Sequence, residues 1–466
     1  MSTNKYTQTQ HLYLRAAFGE TVEVIAEKAD KKPKKLVREL FEQAASSKDL
    51  IVIKENPLST EELMEMSKEE KQELRRESKD KIKELNLLWL DRMADSQAAF
   101  REKMTLFWHG HFACQSANVF FVQQQNNAIR KNALGKFSDL LMAVSKSAAM
   151  LEFLNNKQNR KDSPNENFAR EVMELFTLGR GNYTENDIKN AAKAFTGWSF
   201  DEDGTFRLRQ RQHDEGQKTF MGKTGNFSGE DILQMLLENK QTAVFITIKI
   251  YKYFVNENPP QELIKDLAEK FYTSGYDIGA LMEEIFTSDW FYAPENIGTR
   301  IKSPVELLVG LRKQLGLTFQ DREAQLLVQK VLGQVLFFPP NVAGWKEGKS
   351  WIDSSTLMIR LLLVGVLSKD GATWQAKQDG DVNTDFFAKK RLINIKGTFD
   401  LKGYQQVFGK TNPKNLVEEM ASYLLQTPLV GNNQKLLQLK SQNSTIEEFI
   451  NATALALASV PEYQLA

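Results

Sequence analysis

Residues 164–179 read PNENFAREVMELFTLG. Pro164 suits a helix N-terminus, and Gly179 suits the left-handed position that ends one. Phe168, Val172, Leu175 and Phe176 recur at helical spacing and predict a buried stripe. Glu166, Arg170 and Glu174 line the other side in steps of four, with Asn167 and Glu171 on the border between the faces. The same period recurs elsewhere in the chain. Leu36, Leu40 and Phe41 share a face, as do Leu85, Leu88 and Trp89, with breaks at glycines and prolines. The pattern predicts a mainly α protein, a large helical domain.

Strand signals are few. In GWSFDEDGTFRL, residues 197–208, an Asp-Gly turn at 203–204 separates Trp198 and Phe200 from Phe206 and Leu208. That spacing predicts a hairpin. With Gly222, Gly225 and Gly229 following, residues 197–228 read as a small β-hairpin and loop insertion in the helical body. The body is expected over 1–368, a linker or long loop over 369–402, and a C-terminal helical segment packed on the body over 403–466, with helices in Asn412–Gln426 and Thr445–Ser459. Residues 59–84 interleave both charge signs and read as a solvated helix. A partner-binding helix is the alternative.

The chain has 466 residues, 61 Lys plus Arg, 60 Asp plus Glu and a single cysteine. The even balance argues against attachment to nucleic acid through overall charge. One cysteine excludes an intrachain disulfide framework and a zinc site of several thiolates. The first twenty residues lack an apolar h-region, and no run is long enough to span a membrane, so a soluble cytoplasmic protein is expected.

Of the four histidines, His109 and His111 lie in EKMTLFWHGHF (102–112), and His213 heads HDEGQKTF (213–220). Imidazole is a common metal ligand and the usual acid/base near neutral pH. On a straight helix, side chains two apart point about 200° away from each other, so His109 and His111 could share an ion only if the chain breaks at Gly110. The alternative is a pair of core histidines bonded to backbone on opposite sides of a helix end. His213 and Asp214 could add a nitrogen and an oxygen for zinc, iron or manganese, with Asp214 a catalytic candidate beside Glu166 and Glu171; alternatively, Asp214 caps a turn and His213 is surface-exposed. Glu166, Glu171 or Glu174 could act as ligand or general base, since carboxylates of one helix beside histidines of another form a recurring metal-site plan. Otherwise these residues form a ladder of helix ion pairs. Arg170 and Trp108 are the candidate cofactor contacts. Trp108, with Phe107, Phe112, Phe195 and Trp198, also reads as core. Arg15 reads as a buried ion-pair partner and Cys114 as a small buried residue. Motifs for nucleotide binding and for a nucleophile elbow are missing.

Several segments together closely resemble an uncharacterised bacterial family, domain of unknown function 1800. They are LRAAFG (14–19), EKMTLFWHGHF (102–112), PNENFAREVMELFTLG (164–179), YTENDI (183–188), AFTGW (194–198), HDEGQKTFMG (213–222), SPVELLVG (303–310), FPPNVAGW (338–345) and SVPEYQ (459–464). The resemblance implies a protein of unknown function. It also implies a neighbouring partner from a second, alkaline-phosphatase-like family, and signature positions at His109, His111, His213, Asp214, Glu166, Arg170 and Glu171. Many members are exported, whereas no export signal is read here. Two function classes follow. One is a metal- or small-ligand-binding protein, hydrolase or oxidoreductase, built on the two histidine segments and the 164–179 helix. The other is a non-catalytic scaffold or assembly partner with a buried polar network.

Overall fold

The computed structural model describes residues 5–56, 62, 65–368, 372–373, 394–430 and 445–466. The chain is mainly helical. At its centre lies the helix Ala99–His111, whose residues from Ala99 to His109 are buried apart from Arg101. It packs against Lys5–Ala16, Pro33–Ala44, Lys68–Asp95 and Val119–Asn132. Its apolar residues suit the middle of the body, and its buried Glu102, Lys103 and His109 must find polar partners there.

Lys68–Asp95 shows how charge pattern sets depth. A capping box between Ser67 and Glu70 opens it, and burial begins only at Ile82. The charged first half is solvated, and Lys81 pairs with Glu84 at 2.8 Å. Residues 59–61 and 63–64 of the predicted helix lie outside the described residues.

The 164–179 stretch departs from a plain helix. An α-helical turn, Asn167–Glu171, passes into a π-helix, Val172–Thr177. The N–H groups of Leu178 and Gly179 both reach Met173 O, at 2.9 and 3.2 Å, and Gly179 ends the turn at φ +80°. The wider turn shifts the phase of the stripe. Met173 is therefore fully buried, while Leu175, expected in the stripe, is only partly covered.

In the insertion, Trp198–Phe200 pairs antiparallel with Phe206–Leu208, Trp198 opposite Leu208 and Phe200 opposite Phe206. Gly204 takes φ +76° in the Asp-Gly turn, as that turn chemistry requires. A second short hairpin joins Lys218–Phe220 to Lys223–Gly225.

Beyond the insertion, Pro304–Leu315 starts at a capping box of Ser303 and Glu306. Asp353 accepts the Ser355 and Thr356 N–H groups at the start of Ser354–Ser368. Most of the expected 369–402 linker lies outside the described residues. Gly397–Thr398 in its last part pairs with Thr318–Phe319. The helices Pro413–Leu424 and Ile446–Leu457 occupy the two C-terminal stretches expected to be helical, and Pro413–Leu424 packs on Lys5–Ala16. Residues 464–466 bond back to 300–302: Lys302 N–H donates to Gln464 O at 2.8 Å and Ala466 N–H to Arg300 O at 2.7 Å. Among the described residues, no helix is long and apolar enough to cross a membrane.

Candidate functional site

The helix Ala99–His111 runs unbroken through Gly110, so His109 and His111 leave it in different directions. His109 is buried among Trp89, Phe337 and Trp345, with ring centroids 5.1–5.2 Å away. Its Nε2 accepts the Phe337 N–H at 3.2 Å, which places the ring proton on Nδ1. The ring of His111 packs on Trp108, Phe112 and Phe176, and its Nε2–H donates to Phe176 O at 3.2 Å. The two imidazoles are thus opposite tautomers. Burial, aided by Arg130, pushes His109 down to about 3. Burial and Lys249 do the same to His111, also to about 3. Both rings are neutral at pH 7.

His213 sits elsewhere. Its Nδ1–H donates to Thr196 O at 2.8 Å, and Thr196 Oγ1 accepts the Asp214 N–H at 2.8 Å. Asp214 Oδ1 takes the Gly216 N–H at 2.7 Å, which is turn chemistry. The structure joins His213 and Asp214 through Thr196, but each expected histidine ligand has its own backbone anchor. Among the described residues, no three His, Cys, Asp or Glu side chains gather where they could hold one ion.

The acidic face of 164–179 is an ion-pair ladder. Arg170 bridges Glu185 at 3.0 Å and Glu166 at 3.3 Å. Glu174 pairs with Arg180 and accepts the Tyr183 hydroxyl at 2.7 Å. Glu171, partly buried, has its carboxyl raised by burial and by neighbouring Glu174. Trp108 is wholly enclosed and donates Nε1–H to Ala133 O at 3.0 Å, so it packs the core and lines no opening. Cys114 is buried, and burial followed by Glu152 raises its thiol far above the range of a nucleophile.

Two charge centres that the residue pattern did not reveal are buried around the Ala99–His111 helix. Glu102 is fully buried; it accepts Trp89 Nε1–H at 2.8 Å, Arg130 Nε–H at 3.0 Å and the Ser47 hydroxyl at 2.8 Å. Glu306 lies 3% exposed at the start of Pro304–Leu315. It is held by both terminal nitrogens of Arg300 at 2.9 and 2.8 Å, by the Ser303 N–H at 2.8 Å, and by Lys103. Burial works against the Glu306 carboxylate, but Arg300 and Lys103 outweigh it and hold the group far below the ordinary carboxylate range. Lys103 also donates to Leu14 O at 3.1 Å. Arg15, read as a buried ion-pair partner, donates Nη2–H to Asn296 O and Ala466 O, at 3.0 and 2.6 Å, and feels the attraction of Glu306. The capping signature Ser303-Pro304-Val305-Glu306, and the lone cation Arg360 inside an apolar run, are the signals that could have pointed here.

The contacts of Lys103 with Glu306 and Leu14 O join segments that carry the family resemblance, as does that of His111 with Phe176 O. Phe337, bonded to His109, takes φ +69°, a costly conformation for an aromatic residue. Gly344 sits so close to the end of the Ala99–His111 helix that an added Cβ would meet Gly110 O at 2.7 Å. The His-Gly-His segment and the Phe338–Trp345 segment are thus two halves of one joint. A family model, "Protein of unknown function (DUF1800)", matches residues 11–465. The chain belongs to the DUF1800 family. No curated protein and no solved structure matches it. The DUF1800 match takes in all four histidines, both buried charge centres and the Phe338–Trp345 segment.

Proposed function

We propose that this DUF1800 chain is a non-catalytic scaffold or assembly partner whose signature polar residues form a buried structural network. One observation carries the reading: those residues bond to each other and to backbone in, or next to, other signature segments. His109 joins Phe337, His111 joins Phe176 O, and Lys103 joins Glu306 and Leu14 O. A polar group buried with its partners in place fixes one arrangement of the core, and removing a partner is costly. The alkaline-phosphatase-like neighbour implied by the resemblance is the first candidate for what this scaffold holds.

The metal reading requires His109 Nε2 to leave the Phe337 N–H, and it requires three separately anchored segments to converge. Metal content of protein purified without an affinity tag, together with melting in the presence of chelator, decides between the two. The scaffold reading expects no stoichiometric metal, an unchanged melting temperature in chelator, and lower melting for His109→Ala and Glu306→Gln. Stoichiometric zinc, iron or manganese that disappears in a folded His109→Ala variant would overturn it.

A further inference from the structure

The Glu306 centre holds more positive charge than its carboxylate answers. Arg15, Lys103, Arg300, Lys302 and Arg360 are each 5% exposed or less. The oxygens of Glu306 are taken by Arg300, Lys103 and the Ser303 N–H. Arg15 is held by Asn296 O and Ala466 O, and Lys302 and Arg360 are left, among the described residues, with no Asp or Glu in ion-pair range. Lys302 Nζ donates to Tyr463 O at 2.7 Å and lies over the Tyr463 ring. Arg360 uses only Nη1, toward Lys302 O at 2.9 Å and Gln464 Oε1 at 3.4 Å.

The free edge is specific. Arg360 Nε and Nη2, and Gln464 Nε2, are buried and meet no hydrogen-bond partner. Nε and Nη2 are the two donors that form the side-on fork of a guanidinium, matched to two oxygens of one anion. A buried fork with its donors unspent, beside a second cation, costs free energy unless an acceptor meets it. Water could supply hydrogen bonds but no charge.

We propose that the unpartnered Nε/Nη2 edge of Arg360 is a binding site for one small oxyanion, with Gln464 and Lys302, which meet the same guanidinium at Nη1, as its neighbours. The site borders the network described above, but its test reads ion uptake. A negative result therefore removes this site and leaves the scaffold reading to its own metal and melting tests.

The experiment is equilibrium dialysis of the full chain against labelled inorganic phosphate in chloride buffer of fixed ionic strength, with sulfate and acetate as competitors. The expected result is saturable uptake of one ion per chain. Competition by sulfate alone assigns a tetrahedral ion, and competition by acetate assigns a carboxylate. Arg360→Lys keeps the charge but loses the fork, and should weaken uptake about tenfold or more. Gln464→Glu places a carboxylate beside the Arg360 guanidinium. It should abolish uptake and melt higher than wild type in chloride alone. If Arg360→Lys does not fold, Gln464→Glu decides by itself. No saturable phosphate uptake in wild type, without acetate or sulfate stabilising it over chloride at low concentration, overturns the site. So does uptake that persists in a folded Arg360→Lys or in Gln464→Glu.

Discussion

Arg300 holds the Glu306 carboxylate with both terminal nitrogens, at 2.9 and 2.8 Å, six residues away along the chain and almost wholly out of water. The same carboxylate caps the helix Pro304–Leu315 through the Ser303 N–H. One side chain therefore closes a helix end and anchors two cations, Arg300 and Lys103. Glu306→Gln keeps the shape but removes the charge, leaving both cations buried without their counter-ion. The loss should be about 3–5 kcal/mol, the range for breaking a buried pair on one side. Urea denaturation measures it, and a loss below about 1 kcal/mol would mean the centre is far better hydrated than its burial indicates.

Lys302 gives the centre a pH signature. Burial lowers its ammonium to about 7, while Glu306 pulls the other way and Lys103 and Arg360 add to the lowering. In the unfolded chain the group titrates near 10.4. Between these values the unfolded chain binds a proton that the native chain does not, so stability rises with pH from about 7 to 10 and is lost as pH falls back through 7. The expected slope is about 1 kcal/mol per pH unit. Lys302→Met should remove that share. Comparing wild type and variant at pH 7, 8 and 9 cancels the contributions of Cys114 and the buried tyrosines. Parallel profiles would show that Lys302 stays charged in the native state.

His109 governs the acid side. Its folded value, about 3, lies below the unfolded 6.5, so its contribution is complete above pH 6.5 and is lost as pH falls towards 3. His109→Gln can still accept the Phe337 N–H but does not titrate. Its stability should fall less steeply between pH 6.5 and 4, by about 1.4 kcal/mol per pH unit at most. An unchanged acid slope would place the sensitivity in other groups.

How much of this was legible follows from the range of each interaction. The hairpin at Trp198–Phe200 was readable because Asp203-Gly204 fixes a turn locally and alternation fixes the faces. Helix positions were readable wherever the 3.6 period held. The π-helix at Val172–Thr177 was not, since one wider turn rephases the stripe without any marker residue. The ion-pair ladder of Glu166, Arg170 and Glu174 followed from spacing, whereas the histidines stood out as polar residues in apolar company but have backbone partners such as Phe176 O, which residue type does not record. The Lys103–Glu306 pair joins positions 203 residues apart. Neither periodicity nor local spacing carries such information, and Lys103, in the charged triplet Arg101-Glu102-Lys103, reads on its own as a solvated lysine.

Two glycines at the joint between the His-Gly-His helix and the Phe338–Trp345 segment should respond in opposite directions. Gly110 is helical, and a Cβ there would meet nothing within 4 Å. Shared ligation by His109 and His111 would have needed a break at this residue, and Ala would then be harmful. In the helix observed, Gly110→Ala should stabilise by about 0.5–1 kcal/mol, through helix propensity and the lower entropy of the unfolded chain. Gly344 lies at φ +87°, and its Cβ would collide with Gly110 O at 2.7 Å. Both the backbone conformation and the space forbid a side chain, so Gly344→Ala should cost more than about 1 kcal/mol. The clash is with backbone at a helix end that also carries His109, so relief by a side-chain shift is closed off. The loss should therefore come with a loosened Phe337–His109 contact, visible as faster hydrogen exchange at the Phe337 amide. A stabilising Gly344→Ala, or a destabilising Gly110→Ala, would show that this joint is built differently.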